Sequence, residues 1–460
     1  MKRFKFFMII TTIIILLIGC SSDQTSSDDK KDTEKKGDKE QITISFGTWN
    51  KGTEDELNLE RSLIKAFEAE YPHIKIELDQ SIPNDRWTDG LATAASAKQM
   101  PDVFMLAEVP PGVANEWLLD ITVIASNDPE FTNVPQAVRD AATYNNIIYA
   151  VPAGQQFLGY YVNKDLYNQA NLDVPEHGMS IDDFVSSVRD ITNINEGKVG
   201  FANAMAILDW YPTAVTDNLG WYTLTDEGYH LDSKEFINGL NLASNLMLGG
   251  NAYEGLTDEQ KANFSGEWGG EVFVNGGIGL TWDGTWAIPF FEENAEFDWD
   301  FVSIPGGRTV VANDYMGISK TTEHPEEAYL FAKWMSFGKK GYLKRLEIAQ
   351  EEGFGLDSLP VTTDQEILDA YFELQSLPGL RKAYENLDKA VVEPVKTVPG
   401  YVQSRWEAPT GVAIEDNLNA NISQLLEAAV KGTIKIEDYI TQINDLANNQ
   451  YKEANDAIAQ

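Results

Sequence analysis

Segments with the period of a β-strand and segments with the period of an α-helix alternate along this chain, and this alternation limits the folds open to it. Residues Ile42–Phe46 alternate apolar and polar side chains, as a half-buried strand does. From Leu57 to Tyr71 the apolar residues recur at helical spacing, and Pro72 ends the pattern. A second strand pattern covers His73–Leu78. Strand, helix and strand in this order predict a βαβ unit and therefore an α/β fold.

The same two patterns continue towards the C-terminus. They predict helices at Leu91–Lys98, Ile181–Ile191 and Pro325–Phe337, strands at Pro101–Leu106, Ile147–Val151 and Gly159–Val162, and two closing helices within Asn417–Gln460 that are broken near Gly432. About 420 residues follow Gln41, which is more than one hydrophobic core usually serves, so we expect two domains or lobes.

The first forty residues differ in composition from the rest. Lys2, Arg3 and Lys5 precede an apolar run, Phe6–Ile18, which only two threonines interrupt. A run of 13 residues is too short to span a bilayer. A secretory signal peptide begins with basic residues, continues with a short apolar run and has a small residue before its cleavage site. This pattern predicts a signal peptide over residues 1–19. Residues 20–40 then hold no aromatic or aliphatic side chain, which predicts a disordered tether.

Residues 17–20, Leu-Ile-Gly-Cys, contain the only cysteine of the chain and resemble a bacterial lipobox. The resemblance implies cleavage before Cys20 and a diacylglyceryl group on its thiol. Two acyl chains anchor a protein firmly to a membrane. We therefore expect the protein on the extracellular face of the cell membrane, in a Gram-positive bacterium. An ordinary signal peptide with an incidental cysteine is the alternative.

The formal net charge of −37 restricts the partners. It argues against nucleic acid, which is held through phosphate contacts. A solvated acidic surface is one interpretation of the charge, and a site for a cationic ligand is another. The four histidines lie far apart with no ligand partners at metal-site spacing, so no metal site is expected. No cofactor motif is present either, since the glycines around Gly277 lack the Lys-Ser/Thr of a phosphate loop.

Five motifs in a fixed order carry a family resemblance. They are FEAEYPHIKI at residues 67–76, MPDV at 100–103, YAVP at 149–152 followed by YVNKDL at 161–166, FVNG to WDGTW at 273–286, and HPEEA with Phe331 and Trp334 at 324–334. Together they resemble the motifs of extracellular solute-binding proteins of ABC importers, in the maltodextrin-binding-like class.

The resemblance implies two α/β lobes, joined by crossover segments, with a ligand cleft between them. Aligned on the motifs, one lobe comprises residues 41–151 and 313–360, and the other residues 152–312 and 361–460. The hinge is expected to include Ala150–Gly154. Ligand contacts from both lobes exist only in the closed state, so ligand binding would favour closure. A closed, lipid-anchored monomer would then deliver its solute to the permease subunits of the membrane.

Eleven tryptophans and eighteen tyrosines suit a carbohydrate cleft, because a pyranose stacks its apolar face on a ring. Trp286 occupies the family position where a ring often stacks on sugar, although a tryptophan after a strand can also be core. Asp283 would accept hydrogen bonds from hydroxyl groups, or serve only as a turn residue. Gln156 follows the first crossover, where the family often has a polar residue of the cleft. Its side chain could instead cap the hinge.

Further candidates follow predicted strands or match positions of stacking rings in related proteins. Trp49 and Asn50 come after the first strand and Glu108 after the strand that begins at Pro101; ligands collect at such carboxyl ends. The remaining candidates are Trp210, Tyr211 and Trp406, each of which could equally be packing residues.

Catalysis has little support in the sequence. No carboxylate pair stands out as a glycosidase acid and nucleophile, and no Gly-x-Ser-x-Gly motif occurs. The sequence therefore predicts a non-enzymatic, lipid-anchored receptor that delivers an oligosaccharide to an ABC importer. A receptor of the same fold for a polyamine or peptide is the close alternative. A surface-anchored glycoside hydrolase is the alternative from another class.

Overall fold

The computed structural model describes residues 40–459 except 54, 56, 357, 386, 388 and 389. The predicted signal peptide, Cys20 and the predicted tether up to residue 39 lie outside the described residues. Residues Gln41–Gln460 cluster as one compact unit. No helix in the described ranges has the length and apolar character needed to cross a bilayer.

The strands are β1 (Ile42–Gly47), β2 (Ile74–Leu78), β3 (Val103–Leu106), β4 (Thr143–Tyr144), β5 (Ile147–Ile148), β6 (Ala150–Asn163), β7 (Val199–Phe201), β8 (Ile278–Gly284), β9 (Trp299–Val302), β10 (Val310–Ile318) and β11 (Val391–Val392).

The α-helices are α1 (Leu59–Glu70), α2 (Trp87–Ser96), α3 (Val109–Ala114), α4 (Thr122–Ser126), α5 (Gln136–Ala141), α6 (Lys164–Ala170), α7 (Ile181–Asp190), α8 (Ala206–Val215), α9 (Lys234–Leu248), α10 (Asp258–Lys261), α11 (Gly269–Val274), α12 (Ile288–Asn294), α13 (Pro325–Met335), α14 (Lys339–Glu352), α15 (Gln365–Leu374), α16 (Pro378–Tyr384), α17 (Ile422–Val430) and α18 (Ile440–Ile458).

The first three elements form the predicted βαβ unit. Strands β1 and β2 pair in parallel, with Ile44 opposite Ile76. Helix α1 connects them; the Asn58 side chain caps it by accepting the Arg61 N–H, and its apolar face, which includes Phe67, is buried. Because a parallel pair needs a crossover, the helix between the strands follows from the sequence pattern.

Two long antiparallel strands form the centre of the sheet. The order in the main sheet is β2-β1-β3-β10-β6-β8-β7, with β11 added to β10 and β9 added to β6. Strand β6 runs unbroken from Ala150 to Asn163, so the strand predicted at Gly159–Val162 is only its second half. The pairing of β6 with β10 is irregular between Asp314 and Tyr315, beside the expected hinge segment Ala150–Gly154.

The buried apolar side chains form two clusters that β6 and β10 both enter. Phe157 and Tyr315 lie in the first cluster, whereas Tyr160 and Val310 lie in the second. The first cluster also takes in Val361, Ile367 and other residues up to Leu387. Val361 is the residue at which the second part of the predicted C-terminal lobe begins, and this lobe boundary stays a prediction. Helix α15 packs on α14, a long-range contact that local sequence pattern does not reveal.

The C-terminal region contains the two closing helices that the sequence predicts. Helix α17 ends at Val430 and α18 begins at Ile440. Gly432 between them has φ +72°, a left-handed conformation that glycine adopts without strain. Helix α18 packs against α3 and against a π-helical turn at Gln403–Glu407. This turn brings residues from the end of the chain next to the loop after β3.

Candidate functional site

The face of the β6–β10 ladder that carries Gln156 forms the floor of the candidate site. Gln156 is paired with Ala312, and Gly154 with Asp314. Since alternate residues of a strand share a face, the Gln156 and Asp314 side chains stand on the same side of the sheet. Ser358 packs beside Gly154, where an added Cβ would lie 3.3 Å from the Ser358 Cβ. This floor joins two groups of side chains.

The first group surrounds a cavity of about 260 Å³. Gln156 lines it and accepts a hydrogen bond of 2.6 Å from the Thr285 hydroxyl. Other lining residues come from α12, from α15 and from the loop around Ser358. Polar groups on an apolar wall give this cavity the character of a small-molecule site.

Trp286 lies between residues that line this cavity, because Thr285 precedes it and Ile288 follows it by two positions. Its side chain is 55% exposed, and Asp283 precedes it by three residues at the end of β8. Burial raises the pKa of Asp283, while the Gly284 N–H and the Trp286 indole oppose this shift. A half-exposed indole beside a carboxyl can stack on one face of a ligand and accept hydrogen bonds at its edge.

The second group is centred on Lys396, in the segment that follows β11. Its ammonium forms an ion pair with Asp314 and lies 5.6 Å from the centre of the Trp49 ring. Its carbonyl accepts a hydrogen bond of 2.8 Å from the Val109 N–H at the start of α3. The structure therefore brings the loop after β1, the loop after β3 and the segment after β11 together over the floor.

Glu108 and Trp406 belong to the same region. Burial raises the pKa of Glu108, and the charge of Glu407 raises it further, so the two carboxyl groups lie close together. Trp406 is 40% exposed and lies on the π-helical turn, with the Arg405 guanidinium 4.9 Å from its ring. Turns of this type are rare and are found frequently at functional sites.

A buried charge pair supports this turn. Arg405 is 8% exposed and forms an ion pair of 2.6 Å with Asp209 of α8; its guanidinium also lies 4.3 Å from the Tyr222 ring. Burial raises the pKa of Asp209, and Arg405 opposes the shift. Because charged side chains are almost never fully buried without a partner, this pair fixes the turn to the second cluster.

Glu393, just after β11, adds a carboxyl group that titrates near neutral pH. Burial raises its pKa to about 7. The Val395 N–H, which donates to the Glu393 side chain over 3.2 Å, partly opposes this rise in pKa. The charge of Asp209 also raises this pKa, while the charges of Arg405 and Lys396 lower it. A half-protonated carboxyl can donate as well as accept hydrogen bonds.

Two predicted stacking rings do not reach the site. Trp210 is completely buried among the aromatic residues of the second cluster and donates its indole N–H to Tyr160 over 3.0 Å. The prediction that it stacks on a ligand is therefore wrong, and the packing alternative is right. Tyr211 packs against Gly239 of α9, and its pKa is raised by burial and by the charges of Asp182 and Glu235. Tyr211 therefore lies against α9, which carries Glu235 and Gly239, and near Asp182 of α7.

The remaining candidates occupy the loop after β1. Trp49 is partly buried and makes an edge-to-face contact with Trp87, with ring centres 5.4 Å apart. Asn50 is exposed, and its N–H donates to the Thr48 hydroxyl over 3.1 Å.

Sequence reasoning missed the charged residues of the region. Asp209 directly precedes Trp210, and Arg405 directly precedes Trp406. The sequence prediction selected the aromatic residue of each pair and not the charged one. Lys396, Asp314 and Glu393 lie outside the motifs and carry no local signal. Within the described ranges, no cluster of three histidine, cysteine, aspartate or glutamate residues could hold a metal ion.

Known proteins share both the sequence pattern and the fold. A family model described as bacterial extracellular solute-binding protein matches residues 51–337, more than half of the chain. A multiple sugar-binding protein from Streptococcus mutans is 25% identical over 379 residues, which cover 76% of this chain and 81% of that protein.

Two solved structures resemble the chain along most of its length. The sugar-binding protein MalE from Xanthomonas citri has a TM-score of 0.67 at 16% identity, covering 91% of this chain and 99% of that one. An ABC substrate-binding protein from Listeria monocytogenes in complex with cycloalternan has a TM-score of 0.64 at 20% identity, covering 89% and 99%. At such identities the likeness establishes the fold, which is the predicted two-lobed α/β fold of solute-binding proteins.

Proposed function

The chain belongs to the family of bacterial extracellular solute-binding proteins, and from this premise we propose that it captures a sugar, in particular an oligosaccharide, and delivers it to an ABC permease. The sugar lies over the floor formed by β6 and β10. The half-exposed indole of Trp286, next to a cavity lined by Gln156, carries the proposal, because a pyranose needs an apolar wall and planar polar partners together. The sugar-binding relative from Streptococcus mutans supports the ligand class.

Each remaining candidate has a role in this proposal. Trp286 and Trp406 stack on sugar rings, and Trp49 adds an apolar edge. Asp283, Glu108, Gln156 and Asn50 exchange hydrogen bonds with hydroxyl groups. The floor strands β6 and β10 enter both clusters, so a ligand over the floor can contact both lobes and favours the closed state. The protein binds its solute without chemical change and acts as a monomer.

The proposal includes a lipid anchor on Cys20, which places the receptor on the extracellular side of the membrane. Replacing Cys20 with alanine would release the protein into the medium. A variant that stayed with the membrane after removal of residues 1–19 would exclude the lipid anchor.

Thermal unfolding of the chain from Gln41 to Gln460 tests the ligand class. The panel contains oligosaccharides, monosaccharides, polyamines and peptides. A ligand at 100 times its dissociation constant stabilises the folded state by about 2.7 kcal/mol. We expect a higher melting temperature with one glycan series, and the sugar recovered intact. Stabilisation by a polyamine or peptide alone would replace the sugar with that solute, and shortened glycans would indicate a hydrolase.

A further inference from the structure

An exposed aromatic pair lies outside the residues so far assigned to the sugar site. Trp268, at the start of α11, is 51% exposed, although indole rings are normally well buried. Its ring stacks on Phe290 of α12 with centres 5.8 Å apart and planes 30° apart. One side of a large apolar ring is thus supported by protein, while much of its surface is open.

The chain holds this ring in place through a glycine. A Cβ atom at Gly270 would lie 2.0 Å from the Trp268 ring, so the indole rests directly on the α11 backbone. Gly270 is buried and has no positive φ, so no turn requires a glycine at this position. The close approach of the Trp268 ring is the reason that a side chain does not fit here. A ring already fixed loses little freedom when a ligand stacks on it, which favours binding.

Through Phe290, Trp268 also lies next to the helical segment that carries Trp286 and part of the cavity wall. Trp286 lies in the 3-10 turn Thr285–Ala287, which leads directly into α12, and Phe290 follows it by four residues in the first turn of that helix. Ala287, Ile288 and Phe291 are buried on the opposite face. Trp268 therefore contacts the ring that follows Trp286 by four residues, and Pro289 between Trp286 and Phe290 lines the cavity.

We propose that Trp268, supported by Phe290, is an outer subsite that stacks on a pyranose unit of an oligosaccharide whose inner unit stacks on Trp286. This subsite rests on the proposed function and deepens it, because it selects for length. The occupant is a sugar, since an immobilised, half-exposed indole next to the segment of a proposed stacking ring suits the apolar face of a pyranose.

The test compares glycans of increasing length from the series that stabilises the protein. The affinities of the chain from Gln41 to Gln460 and of its Trp268→Ala variant are measured by titration calorimetry. We expect the parent to gain affinity when the glycan becomes long enough to reach Trp268, and the variant to lose roughly three- to tenfold for those long members only. The shortest member that binds should have the same affinity for both proteins.

Two further variants separate stacking from a structural effect. Gly270→Ala displaces the ring without removing it and should reproduce the loss for long glycans, while Trp268→Phe should restore part of the affinity. Val123→Ala removes an apolar side chain that is 72% exposed on α4 and should change nothing. Unaltered affinity of Trp268→Ala for every length, or equal loss for all lengths, would overturn the outer subsite while leaving the sugar receptor intact. Failure of every glycan to bind the parent would reject both.

Discussion

Among single residues, Trp286 contributes most to the proposed sugar site. Its indole is half exposed while its neighbours Thr285 and Ala287 are buried, so the chain positions the ring rigidly without using it as core. Asp283 lies within reach of the indole and has a raised pKa because of burial. Stacking and hydrogen bonding are thus available at one point of the cleft wall.

Replacing Trp286 with alanine should weaken sugar binding by roughly tenfold or more, because stacking and buried apolar area are both lost. Stability should change little, since the ring is largely solvated. Titration calorimetry with the cognate glycan measures the first effect and urea unfolding the second. Val123→Ala is the matched control. Unchanged affinity in Trp286→Ala would show that this ring does not contact the sugar.

Glu393 gives the apo protein a specific pH dependence. Its pKa is 4.5 when unperturbed and about 7 in the folded state, so between these values the folded state binds more protons than the unfolded state. The free energy of unfolding therefore falls as pH rises from 5 to 7, by less than about 3 kcal/mol, because one proton contributes about 1.4 kcal/mol per pH unit at most. Above pH 7 this contribution levels off.

Urea unfolding at pH 5, 6, 7 and 8 compares the parent with Glu393→Gln. The glutamine variant lacks this titration, so the parent should lose stability relative to the variant as pH rises. Parallel pH profiles for the two proteins would contradict the shifted pKa of Glu393.

Single residues also show where sequence reasoning stopped. The family motif pointed to Trp286, whose ring is exposed, and the position after the first crossover pointed to Gln156, which lies on the floor. The prediction for Trp210 was wrong because the sequence does not show which side of α8 faces the π-helical turn. Packing between α8 and α9 decides whether Asp209 or Trp210 lies on that side. Local pattern cannot supply this packing.

At the scale of the element, α8 connects the second core to the site. Trp210 fills the core next to Tyr160 and Phe184, while Asp209, one residue earlier, holds Arg405. Because consecutive helical residues point in directions about 100° apart, one helix can serve both purposes. The charge pair is placed accurately only if the aromatic core is intact.

Trp210→Ala should therefore destabilise the protein by about 3–5 kcal/mol, through the cavity it leaves and the lost hydrogen bond to Tyr160. Denaturant unfolding measures this loss. Trp210→Phe keeps most of the volume and should cost less. A variant Trp210→Ala that is as stable as the parent, yet fails to bind sugar, would mean that this indole contacts the ligand after all.

Elements with a local signal were predicted well. The βαβ unit and the break near Gly432 are confirmed, because apolar period, capping and glycine conformation are all local. Helix α2 begins at Trp87, four residues before the predicted start, since Trp87 packs into the core and donates its indole N–H to the Met105 carbonyl. The unbroken course of β6 depends on pairing with β8, β9 and β10, which lie far away in sequence.

At the scale of the whole molecule, two cores share two long strands. Strands β6 and β10 pass from one core to the other, and their pairing is irregular at Asp314 and Tyr315. A β-bulge weakens the ladder locally and allows it to bend. This irregular point, beside Gly154, is where we expect relative movement of the two cores.

Closure on a ligand should then reduce the radius of gyration of the chain from Gln41 to Gln460. Small-angle X-ray scattering with and without saturating glycan measures the change. Trp286→Ala at the same glycan concentration should stay closer to the unliganded value. Identical scattering of the free and saturated parent would contradict binding by closure, although not sugar binding itself.

Sugar binding is tested most directly by a calorimetric titration of the chain from Gln41 to Gln460 with the glycan that raises its melting temperature. The account predicts one site per chain, a negative heat-capacity change from burial of apolar surface, and sugar that is chemically unchanged after the titration. Absence of heat at each of several temperatures, at concentrations that stabilise the protein, would contradict a sugar receptor. Heat that continues with time as the glycan is shortened would also contradict it.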